Sequence, residues 1–132
     1  MILHLTDLSE EPLQSQIIRQ ITTQVLSGDL APFSPLPSIR KLASQQQVSV
    51  ITVQQAYTKL TENGLIHSRR GKGFFVSEID EKTRVRLALE KLEQGVTRPL
   101  RTAHAAGLSK KQIQDRIITI IGQINEHGGQ DE

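Results

Sequence analysis

A row of amide, hydroxyl and aliphatic side chains occupies the free face of one predicted helix. At about 100° per residue, the side chains that point away from the apolar stripe of this helix are Ile51, Gln54, Gln55 and Thr58. A glutamine amide can form two hydrogen bonds with an adenine edge, and an aliphatic group can pack on a thymine methyl in the major groove. A solvated helix face with one stray apolar residue gives the same pattern. Both interpretations stay open on this helix alone.

A second candidate group is the basic, glycine-rich run Arg69-Arg70-Gly71-Lys72-Gly73. It separates two short apolar runs, 65–68 and 74–77, which predicts a β-hairpin with this run at its tip. The glycines allow a tight turn, and cations on a narrow tip suit phosphate contacts or insertion into a minor groove. The alternative is a solvated hairpin whose charges discourage edge-to-edge aggregation.

The scaffold for the first group is segment 36–64, which predicts two short helices joined by a tight turn. Ser38 and Ser49 are placed to cap these helices, and Gly64 supplies the left-handed residue that closes the second one. The buried stripe of the second helix is Val53, Ala56, Tyr57 and Leu60. This pattern is typical of a helix-turn-helix, which needs a third element to bury its stripes.

The third element is an earlier helix, whose start is indicated by Ser9-Glu10-Glu11-Pro12 and whose stop is indicated by Ser27-Gly28. Its apolar stripe is Leu13, Ile17, Ile21 and Val25. Residues 2–5 give a weak strand signal before it. A helix, a helix-turn-helix and a hairpin in this order predict a winged helix, and that setting favours the DNA interpretation of the basic tip.

Composition narrows the class of protein. The net charge of the 132 residues is only +2, yet residues 40–76 hold six basic residues and the single acid Glu62, a local charge of +5. A local basic face is typical of a DNA-binding module. The chain has no cysteine and four scattered histidines, so we expect no metal and no cofactor. Without a catalytic motif we expect no enzyme, and without a long apolar run we expect a cytoplasmic protein that does not bind membranes.

Residues 9–77 also closely resemble the N-terminal domain of GntR-type bacterial transcription regulators. The residues that carry the resemblance are Pro12-Leu13 with Gln16-Ile17, Leu36-Pro37-Ser38-Ile39-Arg40-Lys41-Leu42-Ala43, Val48-Ser49, Thr52-Val53, Ala56-Tyr57, Leu60, Gly64-Leu65-Ile66, and Gly71-Lys72-Gly73 with Phe75-Val76. The resemblance implies that double-stranded DNA is contacted by the Arg of the LPSxR segment, the start and exposed face of the second helix of the helix-turn-helix, and the wing tip. With the residues argued above, the expected DNA-binding set is Ser38, Arg40, Ser49, Val50, Ile51, Thr52, Gln54, Gln55, Thr58, Arg69, Arg70, Gly71, Lys72 and Gly73.

Four positions depart from the pattern of this family, among them Gln46, which replaces a common leucine. Val50 and Gln54 stand where many members have arginine, which removes the usual donors to guanine. The resemblance therefore implies an operator read through A·T pairs, methyl groups and shape. Gln47 stands where glycine is common, so a left-handed conformation there would cost roughly 1 kcal/mol.

The segment after residue 79 returns to helical patterning. Its apolar positions are Val85, Leu89, Leu92 and Val96 in a first helix, and Ile113, Ile117, Ile120, Ile121 and Ile124 in a last helix that Ser109 caps. Gly95 and Pro99 predict a break in the first helix, with a second piece from about residue 99 to 106. Two helices cannot bury this much apolar surface alone, so we expect a homodimer. The alternative is that both helices pack onto the winged domain as ordinary core.

The expected fold class is mainly α, with a winged helix-turn-helix of three helices and a β-hairpin in residues 1–78 and an all-helical dimerisation tail in residues 79–132. So short a tail resembles the YtrA-like group of the family. This implies a homodimeric regulator, expected to be a repressor, on a palindromic operator; a small-molecule effector could bind between two tails, although no residue identifies it. The competing function is a winged-helix interaction module that binds protein or RNA.

Overall fold

The computed structural model describes residues 1–128, and within them the chain forms five helices and one two-stranded antiparallel sheet. In chain order the elements are α1 (Leu13–Ser27), α2 (Ile39–Gln46), α3 (Val50–Glu62), β1 (Ile66–Arg69), β2 (Gly73–Val76), α4 (Glu81–Ala105) and α5 (Lys110–Gly128). The chain divides into two compact units, the first comprising Met1–Val85 and the second beginning at Arg86. The mainly helical class and the helix, helix-turn-helix, hairpin order are confirmed.

The core of the first unit forms around α3, which packs against α1, α2 and β1. The predicted stripes supply it: from α1 come Ile17, Ile21 and Val25, and from α3 come Val53, Ala56, Tyr57 and Leu60, all buried. Leu13, the first residue of the α1 stripe, is only half-buried. Because one side of α3 is used for this packing, its opposite side faces outward.

The predicted caps of the helix-turn-helix are confirmed. Ser38 Oγ accepts from the Lys41 N–H at 3.1 Å, and Ser49 Oγ accepts from the Thr52 N–H at 3.0 Å. Gln47 ends α2 in the left-handed conformation with φ 55°, at the position where glycine is common. Gly64 follows α3 with φ 77°, a value that glycine adopts without the penalty of a side chain.

The hairpin forms one residue closer to its tip on each side than the sequence indicated. Arg69 pairs with Gly73 as the last rung, so the turn itself is residues 70–72. The chain before α2 also joins the hairpin, which the sequence did not predict. The Phe33 N–H donates to the Val76 carbonyl at 2.8 Å and the Leu36 N–H to the Phe74 carbonyl at 2.9 Å. These bonds fix the segment that leads into α2 against the base of the hairpin.

Residues 2–5 do not form the strand that their sequence suggested. Their backbone is instead paired with glutamine side chains spaced four residues apart on α1. The Gln20 amide accepts from the His4 N–H at 2.8 Å and donates to the His4 carbonyl at 2.8 Å, and Gln16 pairs with Thr6 in the same way at 3.0 and 2.8 Å. Gln24 repeats the pattern at Ile2. The side chains thus replace the second strand that this segment would otherwise need.

The predicted break in the tail is wrong, because α4 continues through Gly95 and Pro99 to Ala105. A proline in a helix removes the hydrogen bond to the carbonyl four residues earlier. That residue is Gly95, which is exposed, so water can satisfy its carbonyl. One missing bond on the solvent side is tolerated within a helix of 25 residues.

Candidate nucleic-acid interface and apolar tail surface

The free face of α3 is an exposed surface of neutral side chains. Gln54, Gln55 and Thr58 are exposed, and Ile51 has 65% of its surface accessible although it is aliphatic. Val50 at the first position of the helix is also exposed, at 45%. Exposing two large aliphatic residues side by side gains nothing in a folded monomer, whereas both can pack on thymine methyl groups in a major groove.

The start of α3 brings two predicted contact residues together. Ser49 Oγ and Thr52 Oγ1 lie 2.7 Å apart and share a hydrogen bond, while Ser49 Oγ also accepts from the Thr52 N–H. The first turn contains no acidic residue. A helix N-terminus carries partial positive charge and unpaired N–H groups, so this end of α3 is chemically suited to a phosphate.

The basic side chains of residues 40–76 are exposed and mostly unpaired. Among the described residues between 40 and 76, only Lys59 forms an ion pair, to Glu62 at 3.9 Å. Arg40 and Lys41 project from the first turn of α2, directly after the Ser38 cap, and Arg70 and Lys72 project from the hairpin turn. Unpaired cations on a surface are available to neutralise phosphates without breaking an internal bond.

The wing turn owes its shape to its glycines. Gly71 has φ 75° and Gly73 has φ 102°, and the Lys72 N–H closes the turn on the Arg69 carbonyl at 2.9 Å. Arg69 differs from Arg70 and Lys72 because its guanidinium lies over the Phe75 ring, 5.5 Å from the ring centroid. This cation–π contact holds Arg69 against the hairpin, so only Arg70 and Lys72 project freely beyond the strands.

Two shallow grooves border the free face of α3. One lies toward the start of α2 and the hairpin and includes Ile39, Tyr57, Ser68 and Phe74 beside Gln54 and Thr58. The other includes Gln14 from α1 beside Ile51, Gln55 and Thr58. The sequence analysis missed Gln14 and Ser68, because local spacing does not reveal which residues of distant elements border a helix face.

The tail residues predicted to mediate dimerisation form exposed apolar stripes. On α4 the exposed fractions are 47% for Val85, 59% for Leu89, 60% for Leu92 and 38% for Val96. On α5, Ile117, Ile120, Ile121 and Ile124 are exposed and Ile113 is half-buried. A sixth isoleucine of α5, Ile118, was missed by the sequence analysis and is 66% exposed. The two helices make hardly any contact with one another, so neither stripe is buried by the other.

The described part of the chain contains neither a metal site nor a membrane-spanning helix. Among the side chains that the structure describes, no cluster of histidine, aspartate or glutamate could hold a metal ion. None of the described helices is long and apolar enough to cross a membrane. The exposed surfaces of interest are therefore the basic and neutral face around α3 and the apolar stripes of α4 and α5.

Comparison with known proteins identifies two kinds of relative: longer proteins that match only about half of this chain, and short proteins that match most of it. Residues 13–76 match the family described as bacterial regulatory proteins, gntR family. The repressor NagR of Bacillus subtilis is 43% identical over 67 residues, which are 51% of this chain but only 28% of NagR. The repressor YtrA of the same organism is 30% identical over 116 residues, which cover 88% of this chain and 89% of YtrA.

Solved structures give the same picture. A GntR family transcriptional regulator from Listeria monocytogenes superposes with a TM-score of 0.71 at 26% identity, covering 84% of this chain and 96% of that one. The DNA-binding domain of AraR in complex with the operator ORX1 superposes with a TM-score of 0.50 at 30% identity. It covers 58% of this chain and 95% of that domain.

The fold, the exposed free face of α3 and these relatives define a winged helix-turn-helix DNA-binding transcription regulator. The chain belongs to the GntR family, and its match to nearly the full length of YtrA places it in the short YtrA-like group. Members of this family are regulators, so the protein is not an enzyme.

Proposed function

We propose that the protein is a homodimeric repressor that binds a palindromic operator in double-stranded DNA. Residues 1–78 would bind DNA and residues 79–132 would hold the two copies together. The observation that carries the proposal combines two surfaces. The outward face of α3 is free of acids up to Glu62 and is flanked by unpaired cations, and the apolar stripes on α4 and α5 stay exposed among the residues that the structure describes.

In this proposal α3 enters the major groove with its neutral face toward the bases. Gln54 and Gln55 supply amides for base edges, Thr58 supplies a hydroxyl, and Val50 and Ile51 supply aliphatic contact. None of these groups is the bidentate arginine that favours guanine. We therefore expect an operator whose half-sites are rich in A·T pairs at the positions that α3 covers.

Phosphate contacts on two sides of α3 would position the helix. On one side, Ser38 and Arg40 lie at the start of α2, while Ser49 and Thr52 lie at the start of α3 itself. On the other side, the wing offers Arg70 and Lys72, with Gly71 and Gly73 allowing the backbone close to DNA and Arg69 held behind them on Phe75. Phosphate contacts fix register and orientation, and base contacts specify sequence.

Dimerisation would bury the stripes of α4 and α5 against a second copy. Full burial of a completely exposed leucine or isoleucine gives about 1.5–3 kcal/mol. The tail leucines and isoleucines that are more than half exposed would each contribute roughly half of that range, and several lie along each helix. Two copies related by a two-fold axis would present two α3 helices, which is why the operator should be palindromic, with half-sites about one helical turn apart.

Two further parts of the proposal are that the protein represses transcription, which its relatives support, and that an effector regulates it. NagR and YtrA are named transcriptional repressors, and a protein that occupies an operator can block transcription there. A small-molecule effector would act at the tail, because a change in the dimer would alter the spacing of the two α3 helices. A regulator of chromosomal genes works in the cytoplasm, where we place it.

Selection from a random duplex library, with the bound complex sized, tests this proposal. We expect an enriched palindrome, A·T-rich in each half-site, bound by two chains. A single chain on one half-site would refute the homodimer and leave the DNA function intact. No enriched sequence at moderate salt, together with equal binding of single-stranded RNA, would favour the interaction-module alternative.

A further inference from the structure

One buried side chain joins the three elements that face DNA in the proposed complex. Tyr57 lies on α3 with 1% of its surface accessible. Its hydroxyl donates to the Pro37 carbonyl at 2.8 Å, immediately before the Ser38 cap of α2. Its ring meets the Phe74 ring of β2 edge-on, with centroids 4.9 Å apart and an interplanar angle of 70°. Tyr57 also lines the groove between these elements.

The hydroxyl bond connects the two helices at a sensitive point. Pro37 is the last residue before the turn that carries Ser38 and Arg40, so moving its carbonyl moves both predicted phosphate contacts. The Tyr57 hydroxyl is protonated at physiological pH even at the ordinary tyrosine pKa of about 10. Burial raises its pKa further, so the group acts as a donor. Loss of the donor would leave the carbonyl without this partner, which is costly wherever the carbonyl stays shielded from water.

The contact between the Tyr57 and Phe74 rings connects α3 to the wing. Phe74 lies one residue after Gly73, and its backbone carbonyl also accepts from the Leu36 N–H at 2.9 Å. The side chain and the backbone of Phe74 therefore join the hairpin to α3 and to the entry of α2. An edge-to-face pair of rings has a preferred geometry, so it constrains the position of the hairpin more than a contact between aliphatic side chains would.

We infer that Tyr57 is a positioning residue for operator specificity, which sets the distances from the base-reading face of α3 to the phosphate contacts at α2 and at the wing. The inference rests on the proposed function. Non-specific binding depends mainly on the number of cations near phosphates and is tolerant of small shifts. Base readout requires side chains of α3 to lie within hydrogen-bond distance of the bases. A shift of the phosphate contacts at α2 or at the wing therefore weakens specific binding more than non-specific binding.

The test is Tyr57→Phe in the full chain, measured on the selected operator and on an unrelated duplex of equal length. We expect operator affinity to fall about tenfold and non-specific affinity to change less than about twofold. Ile17→Val is the matched control, because it removes one methylene from a buried side chain of α1 and lowers stability while leaving the Tyr57 contacts to Pro37 and Phe74 in place. A purely structural role for Tyr57 would give both variants the same ratio of specific to non-specific affinity, which would overturn the inference.

A double-mutant cycle with Arg40→Ala measures the coupling between Tyr57 and Arg40, which a general loss of stability would not change. If Tyr57 holds the α2 start in register, Arg40→Ala should cost clearly less in the Tyr57→Phe background than in the wild type. Additive effects would overturn the α2 half of the inference. For the wing half, Phe74→Leu should likewise reduce the cost of Lys72→Ala, and additivity there would overturn it.

The outcomes separate the two proposals. Wild-type protein that selects no duplex sequence overturns the proposed function together with this inference. Wild-type protein that selects an operator, with a Tyr57→Phe variant of unchanged specificity, overturns the inference alone.

Discussion

At the scale of single residues, the recognition face differs from most surface helices in being neutral. In the proposed complex its amides and aliphatic groups would discriminate bases by geometry, since none of them carries a charge that would attract phosphates. The charged groups, by contrast, are placed at the start of α2 and at the wing turn. This separation lets base reading and backbone attraction be tested by different substitutions.

Gln54→Ala should change base preference more than overall affinity. The residue is exposed on the face that would lie in the groove, and a bidentate amide contact discriminates by about 1–3 kcal/mol against the wrong base. Selection repeated with the variant should lose the preferred base at one position of each half-site. An unaltered preference would remove Gln54 from base reading.

Arg70→Ala and Lys72→Ala should weaken binding to every duplex sequence. Each substitution removes a cation from the projecting turn, so the slope of log affinity against log salt should fall by about one unit for each phosphate that the variant no longer neutralises. Titrations at several salt concentrations measure it. Glu62→Gln serves as a control for the wing variants, because it also removes one charge but at the end of α3. Glu62 pairs there with Lys59. An unchanged slope in the wing variants would place the wing outside the interface.

Gln47→Gly should stabilise the protein. Gln47 holds φ 55° at the end of α2, and relief of a left-handed strain of roughly 1 kcal/mol exceeds the cost of glycine's added flexibility by up to about 0.5 kcal/mol. Thermal unfolding should show a rise of about 1–2 °C in melting temperature. Gln45→Gly, an exposed position inside α2, should do the reverse because glycine there lowers helix propensity. A decrease in both variants would mean that the strain at Gln47 costs little.

At the scale of elements, α1 serves two purposes at once. One face supplies Ile17, Ile21 and Val25 to the core, and the adjacent row of Gln16, Gln20 and Gln24 holds residues 2–6 by their backbone. Side-chain amides have both a donor and an acceptor, so each can imitate one rung of a β-ladder. The N-terminal segment is thereby ordered without a sheet, and Leu3 is buried.

Gln20→Ala should release the middle of this segment. The His4 N–H would lose its acceptor at 2.8 Å, and a net hydrogen-bond contribution of about 1 kcal/mol predicts roughly fivefold faster hydrogen exchange at that amide. Exchange followed by NMR measures it. Thr23→Ala changes an exposed α1 residue outside the row and should leave the His4 amide protected. Equal exchange in the two variants would show that packing of Leu3, rather than the glutamine row, holds the segment.

At the scale of the whole molecule, the proposed dimer would bring two α3 helices to the DNA, whereas a monomer would bring one. Leu89→Glu combined with Leu92→Glu should convert the proposed dimer into a monomer, because each buried carboxylate would face its copy without a partner. Sedimentation should show half the mass, and affinity for the palindrome should approach that for a single half-site. Gln94→Glu, on the opposite side of α4, introduces a charge outside the stripe and should remain dimeric. A dimer in the Leu89/Leu92 variant would place the interface elsewhere.

The sequence by itself determined the elements of the winged domain from α1 to the hairpin and their exposed faces. Helical spacing, caps at Ser38 and Ser49 and left-handed closure at Gly64 are local properties, since each depends on residues within a few positions. The free face of α3 followed from its buried stripe for the same reason. The tail stripes were also readable, apart from Ile118, which lies to one side of the seam that spacing alone defined.

Only the tertiary structure decided what joins these elements. The pairing of Gln20 with His4, the bridge from Leu36 to Phe74 and the bond from Tyr57 to Pro37 connect residues 16 to 38 positions apart. Such contacts leave no period in the sequence, because they depend on how separate helices and strands come together. The passage of α4 through Pro99 belongs here too, since solvent around Gly95 rather than local propensity makes the missing hydrogen bond tolerable.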